Sequence, residues 1–418
     1  MKILYISGDS GVEVGGRKGA STHIRETCHA LKRFGHEVKI VTPCPGDLSR
    51  VEVPVIKVPA PRAKWIGSDT RHLVLNHRMS KVIERLIREF QPDAIYERYS
   101  LYQMAGLKLA QKYNIPRILE VNTLLAREQA NRLHFPRLAE KVERSLWRQE
   151  KALICVSQTL KNLMTKSAGL DHSKIVGFEI SPVAVDTDSF HPDVKPSTEI
   201  LKFKGDKKLA GYVGTLTAWH GVDLFFDAAR ILRERNIPIK ILAVGGEGDR
   251  VERLRDRVLK DNLSEYLHFY GSIDHHYVAS FLAAMDMCLI ADTQDWSSPT
   301  KFFEFAAMEK PIIASRSPSV EEVFGSSGNA GLFFPRGDAE QMVREMERVL
   351  AEPEMAVQIG KAARARVLSR YTWACNIRTI MELYEKLGAR NVEIPRDACP
   401  TPPDGTASAC NGSSEPPV

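Results

Sequence analysis

Short apolar runs rich in Val, Ile and Leu alternate along the chain with longer stretches in which apolar residues recur every three or four positions. KILYIS, EVKIVTP, AIYERY and RILEVN are separated by segments such as THIRETCHALKRFG, and ALICVS follows another long stretch of helical spacing. After residue 205 the rhythm restarts with KLAGYVG, IKILAVGG, YLHFYG, MCLIAD, PIIAS and GLFFP. Buried strands alternating with helices predict parallel sheets with helices on both faces. The pattern runs twice, so it predicts an α/β protein of two doubly wound, Rossmann-like domains. The seam falls near SPVAVDTDSFHPDVKPSTE, residues 181–199, where Pro, Asp and Ser cluster and the periodicity lapses. Such domains bind ligands at the carboxyl ends of their strands, so the site is expected in the cleft between the two.

Composition narrows the classes. With 43% hydrophobic and 26% charged residues the chain has the make-up of a globular protein, and 418 residues exceed one ordinary core. A net charge of +6 suits phosphates or an anionic membrane surface and does not argue for nucleic acid. No run of 18 or more apolar residues predicts a membrane span. The opening MKILYISGDSG leads into Gly and Asp after a short apolar run, which fits a buried first strand better than a signal peptide. The seven cysteines are scattered without metal-ligand spacing, so a reduced, cytoplasmic protein without structural disulfides or zinc is expected.

Four loops that follow strand-like runs hold unusual residues. In GGRKGASTH, residues 15–23, glycines let backbone amides approach an anion at a helix start, and Lys18 adds charge. GTLTAWHG, residues 214–221, offers Trp219 and His220, and VGGEGDR, residues 244–250, again allows close backbone approach. The fourth, SSPTKFFEFAAMEKPIIAS, reads as a helix capped by Ser298 and opened by Pro299. Lys301 in its first turn is unfavourable beside the positive end of the helix dipole unless an anion lies opposite. Glu304 shares its side of the helix. Ser298-x-x-Lys301 also matches the S-x-x-K of penicillin-binding proteins, but the chain has no K-T-G strand to complete that site.

With these loops in place, the chain resembles the family-4 retaining glycosyltransferases of the GT-B fold as far as about residue 388. The resemblance rests on KGASTHIRETCHALKRFGHEVKIVTP, ICVSQTLKNLM, SPVAVDTDSFHP and GYVGTLTAWHGVDLFFDAA. It continues through FYGSIDHHYVASFLAAMDMCLIAD, SPTKFFEFAAMEKPIIAS and RYTWACNIRTIMELYEKL. It implies an N-terminal acceptor-side domain over 1–185 and a nucleotide-sugar donor domain over 186–370. A helix over 371–390 then returns toward the N-terminal domain, and a disordered tail rich in Pro, Ser and Gly occupies 391–418.

Carried over by residue, the resemblance sets Lys301 against the diphosphate of the donor and Glu304 against its ribose, as the second glutamate of E-x7-E. Asn122 stands beside the transferred sugar, where many relatives have a histidine. Gly19, Lys18, Gly214, Thr215, His220, Gly245, Ser272, Trp296 and Thr300 are donor-side residues, and His23 and Glu128 face the acceptor. The sequence departs from the family pattern at Trp296, which replaces the first glutamate. It departs again at Thr215 and His220, which replace a donor-loop Arg and Lys.

The expected activity is transfer of a sugar from a UDP- or GDP-linked donor to a glycan, lipid-linked or small-molecule acceptor, in surface polysaccharide or glycolipid synthesis. No metal or other cofactor is expected. The alternatives are a sugar-nucleotide epimerase of the same architecture and a non-catalytic nucleotide-sugar-binding subunit. Residues 71–90, RHLVLNHRMSKVIERLIREF, are basic and amphipathic. They fit a helix resting on the inner face of an anionic membrane, but fit better a packed helix with a solvated basic face.

Overall fold

The computed structural model describes residues 1–61, 67–298 and 300–395, and the chain divides into two compact units. The first comprises Met1–Pro182 and the residues from Trp373 onward; the second is Val183–Thr372. The seam therefore falls at Pro182/Val183 rather than 185/186. Residues 183–185 are tied to the second unit: the Val183 amide donates to Ser298 Oγ (3.1 Å) and the Val185 amide to the Tyr371 carbonyl (3.0 Å).

The first unit is built on seven parallel strands: β1 (Lys2–Ser7), β2 (Glu37–Thr42), β3 (Val55–Lys57), β4 (Ala94–Arg98), β5 (Arg117–Val121), β6 (Ala152–Cys155) and β7 (Gly177–Ile180). Their order is β3-β2-β1-β4-β5-β6-β7. The apolar runs that announced these strands are buried on both faces, as all-parallel pairing requires. The short edge strands β3 and β7 went unpredicted because VIK and GFEI carry half-exposed residues and little apolar length.

Helices cover both faces. In Gln158–Ala168, for example, Ser157 Oγ accepts the Leu160 amide and Gly169 closes the helix in a left-handed conformation. The helix Trp373–Lys386 belongs to this unit and buries Ile377, Ile380, Leu383 and Tyr384, while Asn376 Nδ2 donates to the Pro182 carbonyl (2.8 Å).

The second unit repeats the plan with six parallel strands: β8 (Lys208–Val213), β9 (Ile239–Val244), β10 (Leu267–Gly271), β11 (Met287–Ile290), β12 (Ile312–Ser315) and β13 (Leu332–Phe334). Their order is β10-β9-β8-β11-β12-β13. Phe225, Phe226 and Phe269 fill one face of the sheet, and Phe302, Phe303, Phe305 and Phe324 the other. In both units the winding reverses beside the first strand, between β1 and β4 and between β8 and β11. Parallel sheets present their ligand-binding crevices at the carboxyl ends of such strands.

Two expectations change. The helix Ser68–Phe90 turns Leu75, Met79, Ile83, Leu86, Ile87 and Phe90 into the core, so the apolar stripe of residues 71–90 covers the sheet and not a membrane. Cys28, Cys44, Cys155 and Cys288 are free, but Cys375 is disulfide-bonded, which spacing along the chain could not reveal because a disulfide depends on tertiary proximity. Most of the expected tail, residues 396–418, lies outside the described residues, as does Pro299. No described helix is long and apolar enough to cross a membrane.

Candidate active site

In the second unit the chemistry gathers where β8 ends. The helix Thr300–Ala307 buries Lys301, whose Nζ donates to Tyr212 Oη (2.9 Å) and stands 4.3 Å from the centre of the Tyr212 ring. Among the described residues no carboxylate lies within 4.0 Å of that ammonium, so Lys301 is a buried cation without an ion-pair partner. Burial pulls it down to about 7, against the opposing pull of Glu304. Glu304, also buried, accepts a hydrogen bond from His275 Nε2 (2.9 Å) and so is held one turn further along. The solvated Lys–Glu pair of an ordinary surface helix is therefore not what forms.

The loop after β8 is held by its own groups. Tyr212 Oη donates to the Thr215 carbonyl (3.0 Å), and His220 Nδ1 donates to the same oxygen (2.7 Å) with the Thr217 hydroxyl at 2.9 Å. Burial, reinforced by the Lys301 charge, lowers His220 to about 3, so it is neutral at pH 7 and braces the loop while Trp219 is turned outward. Two glycines let the strand ends close up. A Cβ on Gly245 would stand 2.0 Å from the Gly214 carbonyl oxygen, and Gly245 has φ of +127°. Gly245→Ala is expected to cost about 2 kcal/mol or more and to displace the Thr215–His220 loop. Urea denaturation would register the first effect and weakened nucleotide-sugar binding the second; unchanged values in both would show that the backbone can give way.

In the first unit a second cluster forms at the end of β5. Glu120, 1% exposed, accepts on one oxygen from His23 Nε2 (2.6 Å), Arg98 Nη1 (3.3 Å) and Asn122 Nδ2, and on the other from Tyr96 Oη (2.7 Å). Burial works to raise this carboxyl, but His23, Arg98 and Asn122 outweigh it and hold it at about 2. With those bonds made, His23 Nδ1 and Asn122 Oδ1 are buried polar atoms without a hydrogen-bond partner among the described residues. The Trp373 ring lies 5.7 Å from that of His23.

The glycine loop leads into the helix Gly19–Arg33, where Lys18 stands exposed at the cap position and caps nothing with its side chain. Buried Arg25 donates to the Val14 carbonyl (3.1 Å) and the Gly16 carbonyl, pinning the loop from within.

The structure thus unites Lys301, Gly214, Thr215, His220 and Gly245 around Tyr212, and separately unites His23 and Asn122 on Glu120. Thr300 opens its helix, Trp296 is half-buried in the preceding loop, and Ser272 is exposed after β10. Glu128 is exposed and accepts from Thr123 Oγ1, apart from the Glu120 cluster. Ser298, expected to cap the helix, accepts the Val183 amide on its Oγ. Tyr212, His275, Glu120, Arg98 and Arg25 were not foreseen. The one available signal was a charged residue inside an otherwise apolar strand, as in RILEV and AIYER. Among the described residues no group of three or more His, Cys, Asp or Glu is placed to hold a metal ion.

The same architecture is found in solved structures. Sucrose-phosphate synthase from Thermosynechococcus elongatus superimposes with a TM-score of 0.74 at 21% identity, covering 93% of this chain and 99% of that one. Anabaena HepE in complex with UDP-glucose does so with 0.72 at 17% identity, covering 92% and 99%. The fold is that of the GT-B glycosyltransferases.

Residues 17–179 match the profile of Glycosyltransferase Family 4, and residues 193–366 that of Glycosyl transferases group 1. A glycogen synthase of Mycobacterium tuberculosis is 23% identical over 401 residues, 89% of this chain and 92% of that protein. With both of its units matched, the chain belongs to the family-4 glycosyltransferases.

Proposed function

We propose that this glycosyltransferase takes its sugar from a nucleotide-diphosphate donor and transfers it with retention of anomeric configuration. The observation that carries the reading is Lys301, a buried and unpaired cation at a helix start beside the backbone of Gly214. Helix starts offer amides without intrahelical partners, and together with a lysine these suit a diphosphate. UDP-glucose bound to HepE supports a uridine nucleotide.

Cleavage of the sugar–phosphate bond sends its electron pair to the leaving phosphate, whose developing charge Lys301 and the amides of the helix start stabilise. The acceptor oxygen bonds to the anomeric carbon on the face the phosphate leaves, and its proton passes to that phosphate. Leaving-group stabilisation is thereby assigned to the chain's own groups and not to a metal. Glu304, fixed by His275, takes the ribose, while Asn122 and His23 serve the transferred sugar and the acceptor. The acceptor is a glycan or lipid-linked sugar of surface polysaccharide or glycolipid synthesis.

Incubation with labelled UDP- and GDP-sugars tests the reading. Release of free nucleotide, slow with water and faster with the correct acceptor, is expected, and the anomeric proton coupling of the product should match that of the donor. Isomerisation of the sugar without nucleotide release would make the protein an epimerase. Binding without either would make it a non-catalytic subunit.

A further inference from the structure

Three helix-to-strand junctions of the first unit meet around one cavity. Ser68–Phe90 leads into β4, Ala105–Tyr113 into β5 and Pro136–Arg148 into β6. The junction residues Asp93, Asn114, Arg117, Gln149 and Glu150 all line a space of about 680 Å³. Leu387 to Arg390, just beyond the helix Trp373–Lys386, complete the lining. The cavity therefore stands at the amino ends of these strands. Asn122 follows the carboxyl end of β5, on the order of 15 Å from Arg117 at the rise of a strand, and no residue of the candidate active site lines the cavity.

The inner lining is charged and incompletely satisfied. Arg117 and Glu150 are buried, with side chains 4% and 2% exposed. Arg117 is committed to Glu97 and to Glu150 Oε2. Glu150 Oε1 is left buried and without a hydrogen-bond partner among the described residues. An unpartnered buried acceptor is unfavourable, and a donor entering from the cavity would satisfy it. Carboxamides line the rim. Gln91, Gln111 and Asn114 are exposed and make no side-chain hydrogen bond with a described residue, while Gln149 gives its Nε2 to Ser145 and keeps its amide oxygen. Ile87, Leu107, Ala110, Pro116 and Tyr113 supply an apolar wall, and Tyr113 Oη donates to Glu84 (2.7 Å), which fixes its ring.

This lining selects its ligand by exclusion and by match. An anion would meet Asp93 and Glu150, and a cation would meet Arg117, Lys151 and Arg390. A wholly apolar molecule would strand the Glu150 oxygen. A neutral polyhydroxylated molecule suits every part. Its hydroxyls both donate and accept, as carboxamides do, one of them can donate to Glu150 Oε1, and its C–H faces can lie on the apolar wall. The volume is within the range that encloses small ligands.

We propose that the amino-end cavity of the first unit is a saccharide-binding site separate from the candidate active site, taking a neutral mono- or disaccharide with one hydroxyl on Glu150 Oε1. Because residues 387–390 share the lining with the strand junctions, an occupant clamps the end of the last helix to the sheet. The inference rests neither on the identity of the donor nor on the anomeric outcome.

Titration calorimetry of the full chain with maltose, lactose and sucrose tests the proposal. At least one of the three is expected to bind at a single site with Kd of about 1 mM or tighter, and saturation should raise the unfolding temperature by about 5 °C. Gln149→Trp sets an indole across the rim at an exposed position. It should weaken binding about tenfold or more while the unliganded chain unfolds as before. Glu150→Gln must keep its amide oxygen on Arg117, which turns the NH2 toward the sugar and removes the acceptor, so binding should again fall about tenfold. The first variant decides the matter if the second proves unstable. Failure of all three sugars to bind would overturn the proposal. Native affinity in either folded variant would do the same, because the sugar would then sit elsewhere on the chain or off Glu150. Inorganic phosphate that binds the native chain but not Gln149→Trp would make this an anion site and overturn it too.

Discussion

Lys301→Ala should lower the rate of nucleotide release from the donor by about a hundredfold or more, the scale set by removing a single preorganised group from a developing oxyanion. The same change should leave the fold intact or strengthen it, because the native chain buries this ammonium without a carboxylate partner. The pH dependence separates the two effects. Burial lowers Lys301 from 10.5 to about 7, so the free enzyme loses the cation as pH rises past neutrality. The donor kcat/KM, which reports free-enzyme ionisations, should therefore fall on an alkaline limb near pH 7, and the limb should be absent in Lys301→Met.

Stability runs the other way. Between about 7 and 10.5 the unfolded chain holds the proton more tightly than the folded one, so unfolding becomes harder as pH rises through that window. A native-like alkaline limb in Lys301→Met would remove the lysine from the chemistry.

The second large effect is structural. Arg117 is buried between two buried carboxylates, with Nη2 2.9 Å from Glu97 Oε2 and Nη1 on Glu150 Oε2. Removing it as Arg117→Leu leaves two acids without their shared cation, and breaking a buried pair in this way costs about 3–5 kcal/mol. Burial, opposed by Arg117, raises Glu150 from 4.5 to about 7 and raises Glu97 as well. These folded-state values lie above the unfolded ones, so the stability they contribute is complete below pH 4.5 and declines as pH rises through about 7. In the variant the acids can be relieved only by protonation. Its deficit, measured by urea denaturation, should be markedly smaller at pH 5 than at pH 8. An equal deficit at both would mean that lost packing, not stranded charge, is the cause.

Lys301 stands out in the amino-acid sequence because a lysine in a first turn opposes the helix dipole, and this local contradiction points to a site by itself. The same reasoning could not find Tyr212, which reads as one more aromatic in the strand KLAGYV until β8 and the helix Thr300–Ala307 come together. Glu120 is similar: RILEV announces a buried strand but not that His23, Arg98, Asn122 and Tyr96 converge on its one acid. The parallel sheets were readable because long β-branched runs need burial on both faces, whereas Val55–Lys57 and Gly177–Ile180 owe their strand geometry to the neighbours they pair with. Periodicity identified the apolar stripe of Ser68–Phe90 but could not say what covered it.

The helix Trp373–Lys386 contributes to the core of the first unit although it follows the whole of the second in the chain. The middle portion is consequently an insertion with two connections, at Pro182/Val183 and Thr372/Trp373. A gene segment spanning Val183–Thr372 carries a self-contained sheet and its covering helices, so recombination could replace it whole, provided both breakpoints are respected. A single crossover near the middle would strand the last helix with the wrong partner, and exchanging this unit is therefore a matter of two joints rather than one.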